Sequence, residues 1–334
     1  GSEAYLNSDT KMRYPEKFGL KNRKVYLEGE AYFNISTNKK RPFVVETEKS
    51  SVAVLGTSFN VEAYNNDDEI EVVLDEGEIV FNTDGSIESL YDKELDREWV
   101  NGEFNKLRLY KDNPGVYDAW DILPNYTDRE VDLKILSPLK TIEKNSEVVS
   151  FACTLATEKS TWKRIIRVFR QSRGTEVENI VDWNEKHVLA KAQFDCNVLT
   201  RKAVCDTSAG FVERETHRNT TWQQARFEVC HHKWVDMAET DGGIALINDS
   251  KYGVGLLENS MSLSLLRATI RPDVTSDLGH HEFAYMIYPH GDDFVKAEIN
   301  NIAFEYNVPL GKADLTCENS FGELYMQTMK MSEK

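Results

Sequence analysis

Glu69–Phe81 reads EIEVVLDEGEIVF. Two short apolar-alternating runs flank Asp75-Glu76-Gly77, a turn-forming triplet, so the stretch predicts two strands joined by a tight turn, each with one buried and one wet face. The pattern repeats upstream in Ser51–Ala63 (SVAVLGTSFNVEA) and in Lys24–Phe33 (KVYLEGEAYF), which has a glycine in its middle. Downstream it returns at Ile165–Phe169, Glu176–Val181, Val188–Phe194, Ala225–Val229, Gly243–Ile247 and Glu298–Tyr306. Asn82-Thr83-Asp84-Gly85 and Asp241-Gly242-Gly243 supply turns between runs. Only Glu158–Trp162 and Asp236–Thr240 suggest a helical turn. Regularly spaced strands without alternating helices predict an all-β chain of sandwich or barrel type.

Composition narrows the function classes. The chain has 334 residues, a length that suits about two domains. Hydrophobic residues make up 40%, enough for a sizeable core, which excludes global disorder. Forty basic against 56 acidic residues give a net charge of −16, which argues against a partner with a phosphate backbone or an anionic membrane surface. No apolar window approaches about 18 residues, so no membrane span is expected. The opening Gly1-Ser2-Glu3 shows no basic-then-apolar leader. Five cysteines, Cys153, Cys196, Cys205, Cys230 and Cys317, lack C-x-x-C spacing and predict reduced, mostly buried thiols rather than a zinc ribbon or disulfide framework. Neither a Gly-rich phosphate loop nor G-x-S-x-G is present.

Two resemblances divide the chain. Tyr14-Pro15, Arg23, Leu27, Gly29-Glu30-Ala31, Pro42-Phe43, Leu55-Gly56-Thr57, Phe59-Asn60-Val61 and Glu76-Gly77 resemble, in order, the periplasmic domain of FecR-type anti-sigma regulators. That resemblance implies a small β-rich domain that passes a signal from an outer-membrane receptor towards a sigma factor. The segments that bind the sigma factor and cross the membrane are not in the sequence. From DGSIESLYDKELDRE at Asp84 through GFVERETHRNTTWQQARFEVCHHKW at Gly210 to FEYNVPL at Phe304, the chain is similar to the carboxy-terminal β-domains of glycoside hydrolase family 38 α-mannosidases. This implies a large galactose-mutarotase-like β-sandwich that packs against a catalytic domain. In that family the zinc ion, the carboxylate nucleophile and the acid/base carboxylate belong mainly to an amino-terminal α/β domain, which the sequence does not contain. The division expected is 1–81 for the FecR-like domain and 82–334 for the sandwich. No flexible spacer separates them, so the two parts should share or abut a strand.

Candidate site residues follow from the second resemblance. Asp277-Leu278-Gly279-His280-His281-Glu282-Phe283 fits the family's D-x-G-x-H-x-F pattern through Asp277, Gly279, His281 and Phe283. The glycine permits a bend, and His281 and Phe283 should share one strand face. Arg267 fits a position from which the β-domain reaches sugar hydroxyls, or else forms an ion pair. Arg267, Asp277 and His281 are therefore the expected substrate-rim residues. Glu228-Val229-Cys230-His231-His232 contains zinc-type ligands, but neighbours on a strand face opposite ways and two ligands are too few. Asp182-Trp183-Asn184-Glu185-Lys186-His187 and Tyr117-Asp118-Ala119-Trp120-Asp121 set carboxylates beside tryptophans, and are read as packing and turn elements rather than a catalytic pair. No catalytic residue, metal ligand or cofactor is expected within the chain. The function expected is the non-catalytic sandwich portion of an α-mannosidase, whose partners would be a mannose-containing carbohydrate and the catalytic domain. The alternatives are a FecR-like signalling protein or an artificial chimera. The mannosidase-like part implies the cytoplasm and the FecR-like part the periplasm. Oligomeric state is left open.

Overall fold

In a computed structural model, the structure describes residues 2–308, apart from 8–9, 16, 19–21, 37, 39, 48–50, 55–57, 64–68 and 74–76. The Leu55-Gly56-Thr57 match, the Asp75-Glu76 part of the expected turn and Cys317 lie outside the described residues.

The amino-terminal module is a six-stranded sheet of β1 (Glu3–Leu6), β2 (Lys11–Arg13), β3 (Arg23–Asn34), β4 (Phe43–Glu46), β5 (Ser51–Val54) and β6 (Ser58–Ala63). The long strand β3 organises it, pairing antiparallel with β1, β2 and β6 and parallel with β4. Its alternation is the one expected: Val25, Leu27, Ala31 and Phe33 face a core with Phe43, Val45, Phe59 and Val61. Gly29 sits at φ +108°, and a Cβ there would fall 2.6 Å from Thr10 Oγ1, so the close approach of the chain after β1 needs glycine.

The rest is a sandwich of two nine-stranded sheets. The chain runs through β7 (Glu69–Val73), β8 (Gly77–Asn82), β9 (Ile87–Asp92), β10 (Arg97–Glu98), β11 (Val100–Lys111), β12 (Lys134–Lys144), β13 (Val148–Ala156) and β14 (Thr161–Phe169). It continues with β15 (Thr175–Trp183), β16 (Val188–Cys196), β17 (Lys202–Thr207), β18 (Gly210–Glu215), the short helix α1 (Thr221–Gln224) and β19 (Glu228–Cys230). It ends with β20 (Trp234–Ala238), β21 (Gly243–Asn248), β22 (Gly253–Leu257), β23 (Ser260–Leu266), β24 (Gly279–His290) and α2 (Ile299–Asn307). One sheet has the order β19-β22-β23-β16-β11-β9-β8-β7, with β10 on β9; the other runs β12-β13-β14-β15-β24-β21-β20-β17-β18. The core between them includes Trp99, Phe104, Phe151, Trp162, Trp183, Phe194 and Tyr285. Trp162 packs edge-on against both Trp183 and Phe283, and its indole N–H donates to Asn179 Oδ1 at 2.8 Å. The two strands expected in Glu69–Phe81 are β7 and β8, and both are hydrogen-bonded into the sandwich sheet.

Several local expectations are corrected. Glu298–Tyr306 is not a strand but contains most of α2. Ile299 and Ala303 are buried and Ile302 and Tyr306 partly so, a helical spacing that packs on Trp234, Ala245 and Ile247. Glu158–Trp162 and Asp236–Thr240 are not helical. The first runs from a turn into β14 and the second holds the end of β20, because Trp162 and Met237 are needed in the sandwich core. In Ala225–Val229 the strand begins only at Glu228, since Ala225 is the carboxy-terminal cap of α1. Of the cysteines, Cys153, Cys196 and Cys205 are buried, Cys230 is exposed, and all four are free thiols.

Candidate functional site

A cleft of about 1130 Å³, counted out to open solvent, lies over the outer face of the sheet formed by β19, β22, β23 and β16. Its floor is polar. Lys191 on β16 is opposite Ser264 on β23, and its ammonium donates to Ser264 Oγ at 2.9 Å and to Glu228 Oε1 at 2.6 Å. The Tyr126 hydroxyl donates to the same Glu228 oxygen at 2.8 Å. Lys191 is fully buried, and burial pulls its ammonium below the ordinary lysine range while Glu228 works the other way. Gly255, across from Glu228, makes room for this carboxylate, because a Cβ there would lie 2.8 Å from Glu228 Oε1.

The wall of the cleft is the loop after β11. Asp112 is buried at its base, where Oδ1 accepts from the Leu123 N–H at 2.9 Å. Arg267 Nε and Nη2 both donate to Asp112 Oδ2, at 2.7 and 2.6 Å, and Nη2 also reaches the Asp121 carbonyl. Asp118 forms a second anchor. Its Oδ2 accepts from the Ile270 N–H at 2.7 Å and from His187 Nε2 at 3.0 Å, and these two donors hold its carboxyl below the usual aspartate range. Pinned at both places, the loop presents Tyr117 and Trp120, and Trp120 is 69% exposed at the cleft edge. On the opposite side α1 is closed by a capping box between Thr220 and Gln223, which delivers Ala225 and Glu228 to the cleft.

The structure brings two of the three expected rim residues to this cleft. Arg267 and Asp277 line it. Asp277, at φ +59°, accepts from the backbone N–H groups of Arg267 and Ala268 at 3.1 and 3.0 Å. His281 stands behind them and donates from Nε2 to the Asp277 carbonyl at 2.7 Å. It shares a face of β24 with buried Phe283, as expected. His280 instead bridges Asp182 and Glu282 at the surface, at 2.9 and 3.1 Å, and the two carboxylates raise its pKa.

Sequence reasoning missed Asp112, Lys191 and Tyr126, which hold the lining residues Arg267 and Glu228 in place, and weighed Glu228 only within the rejected zinc-type stretch. It also took Trp120 for packing, whereas Trp120 and Tyr117 are exposed. Trp183 and Asp118, from the same two motifs, are buried as read. A usable signal lay in the two aromatics interleaved with carboxylates at Tyr117–Asp121, beside Asn113-Pro114-Gly115, which marks a loop rather than a strand.

A zinc ion does not fit the Cys230-His231-His232 stretch. His231 is buried with Nε2 accepting from Asn248 Nδ2 at 3.0 Å, while the His232 ring packs edge-on against Tyr252. Among the described residues no group of three His, Cys, Asp or Glu is placed to hold a metal.

Known proteins match this architecture. Residues 77–275 match the glycosyl hydrolases family 38 C-terminal domain, and residues 1–80 match the FecR protein family, so both matches include the start of β8. Alpha-mannosidase 2C1 of Mus musculus is 31% identical over 259 residues, covering 69% of this chain and 23% of that protein. The alpha-mannosidase of Saccharomyces cerevisiae is 33% identical over 257 residues, with the same coverage. The chain thus spans about a quarter of the length of these curated relatives. An alpha-mannosidase structure from Enterococcus faecalis superposes with a TM-score of 0.61 at 12% identity, over 92% of this chain and 38% of the other, which is a likeness of fold. The cleft, the sandwich beneath it and a match over most of the sandwich converge: the chain belongs to the family of glycosyl hydrolase family 38 C-terminal domains.

Proposed function

We propose that the sandwich is the non-catalytic, substrate-rim portion of an α-mannosidase, and that its cleft holds a mannose-containing carbohydrate against a catalytic domain supplied by other residues. The observation that carries this reading is the meeting, in one cleft, of an exposed indole with charged and hydroxyl groups from four separate elements. A sugar presents both faces of that chemistry: C–H groups that stack on an aromatic ring, and hydroxyls that pair with arginine donors and carboxylate acceptors. Arg267 and Asp277 serve as rim residues and His281 as the residue that positions Asp277. Bond cleavage would depend on zinc and two carboxylates in the partner domain. None of the site's own groups is arranged as such a pair: Glu228 is committed to Lys191 and Tyr126, and Asp112 to Arg267.

Methyl α-mannoside titrated against the chain, followed by saturation-transfer NMR, tests the reading. Saturation should reach the sugar C–H protons and vanish in Trp120→Ala. Equal transfer in Trp120→Ala, or none in the unaltered chain, contradicts it. A signalling role for residues 1–80 is the second reading, favoured by the FecR match. It predicts capture of a receptor's periplasmic domain by the chain.

A further inference from the structure

A pocket with about 550 Å³ of space opens on the other sheet, at its edge strand β18. That size suits a small ligand. The β17–β18 hairpin forms one side, where Phe211 stands opposite Asp206 in register. The residues at the amino end of α2 form the other side, with Phe294, Val295 and Glu298. The apolar part is an aromatic corner. Phe211 and Phe294 meet with ring centroids 4.9 Å apart and planes at 71°, and Phe294 leans on the buried Trp234 at 5.3 Å. Phe211 is nevertheless 56% exposed, so this corner is open to solvent. Three charged side chains line the pocket, and two of them cancel. Lys233 Nζ lies 3.3 Å from Oδ2 of the buried Asp206, which also accepts from the Lys233 N–H at 2.9 Å. The third is Glu298, which is exposed and held at φ +54°. Its carboxylate does not cap α2 and makes no salt bridge among the described residues. The pocket therefore sets one uncompensated negative charge beside two rings that meet at a steep angle.

We propose that this pocket binds a quaternary ammonium group, held in the corner of Phe211 and Phe294 with Glu298 as its counter-charge. A cation is attracted to the faces of aromatic rings, and an alkylated ammonium also buries its methyl groups against them. A pyranose asks for one flat platform, which rings at 71° do not provide, whereas a compact cation presents methyl groups to both rings at once. An anion would meet Glu298 with its one possible partner, Lys233, already paired to Asp206. A bare metal ion finds no ligand atoms on aromatic walls, and no group of three metal-binding side chains exists among the described residues. A primary ammonium needs acceptors for three N–H groups, which Phe211, Phe294 and Val295 do not supply. The chain's net charge of −16 favours the approach of a cation. The site lies on the sheet that does not carry the carbohydrate cleft, and does not rest on the reading of that cleft.

Choline is the probe. Its comparisons are ethanolamine and the uncharged carbon isostere dimethylbutanol. Each is titrated into the full chain by calorimetry, and saturation transfer to the choline N-methyl protons is followed by NMR. Choline should bind one to one, and dimethylbutanol and ethanolamine should each bind at least about fivefold more weakly. Phe211→Leu keeps an apolar side chain but removes the ring, and should weaken choline by at least about threefold. Glu298→Gln should weaken it by about threefold. Both side chains are exposed, so neither variant should lower the melting temperature. Absence of choline binding overturns the proposal. So does equal binding of dimethylbutanol or of ethanolamine, or unaltered choline affinity in Phe211→Leu or in Glu298→Gln.

Discussion

Arg267 is gripped by a carboxylate that solvent does not reach. Asp112 is 155 residues away in sequence, so no local pattern could have named it, although the family pattern picked out Arg267 and Asp277. The ion pair is therefore also structural. Arg267→Ala should leave Asp112 buried and uncompensated and cost about 3–5 kcal/mol in urea unfolding. Arg267→Lys should recover only part of this, because a lysine cannot reach both Asp112 and the Asp121 carbonyl with a planar fork. His231 gives a pH dependence. Burial is the main cause that pushes its pKa down to about 3, so it stays neutral in the fold while the unfolded chain takes up a proton below its ordinary value near 6.5. Its contribution is intact above pH 6.5 and is lost as pH falls towards 3, at up to about 1.4 kcal/mol per pH unit. His231→Gln should flatten that slope in stability measured at stepped pH, and an unchanged slope would refute the assignment.

Among the elements, strands were legible where one face is wet. In β3, β8 and β15 burial alternates along the strand, although in β15 the inward set includes the polar Asn179. Strands buried on both faces were harder. Gly243–Asn248 is buried throughout, and its neighbour β20 nearly so, because α2 covers the outer side of both. The stretch Asp236–Thr240 suggested a helical turn; in the fold Asp236 lies within β20, where its Oδ1 accepts from His290 Nε2 at 2.8 Å while burial still raises its pKa. The helix α2 was mistaken for a strand because Ile302, Phe304 and Tyr306 alternate, although Ile299, Ile302, Ala303 and Tyr306 keep the helical i, i+3, i+4, i+7 spacing. Its packing makes a clear prediction. Ile299→Ala should cost about 2–4 kcal/mol by denaturant unfolding, whereas Phe304→Ala, on the exposed side, should cost under about 0.5 kcal/mol.

At the scale of the molecule, the two family matches overlap on β8, and β7 and β8 complete a sandwich sheet. We propose that the division at residue 81 marks a change of ancestry rather than a line between folding units. A fragment beginning at residue 82 would lose Ile79 and Phe81 from the core, and should melt at least about 10 °C below one beginning at Glu69. Equal melting temperatures would restore residue 81 as a folding boundary. The missing spacer predicted that the two parts share or abut a strand, but which strands pair is not specified by one sequence. The central claim is that these residues form a sugar rim without the machinery of hydrolysis. Its most direct test is the release of 4-nitrophenol from 4-nitrophenyl α-mannoside by the purified chain, with zinc supplied. The account predicts a rate equal to the buffer blank. A zinc-dependent rate above the blank, abolished by a chelator and carried by the chain through purification, would contradict it.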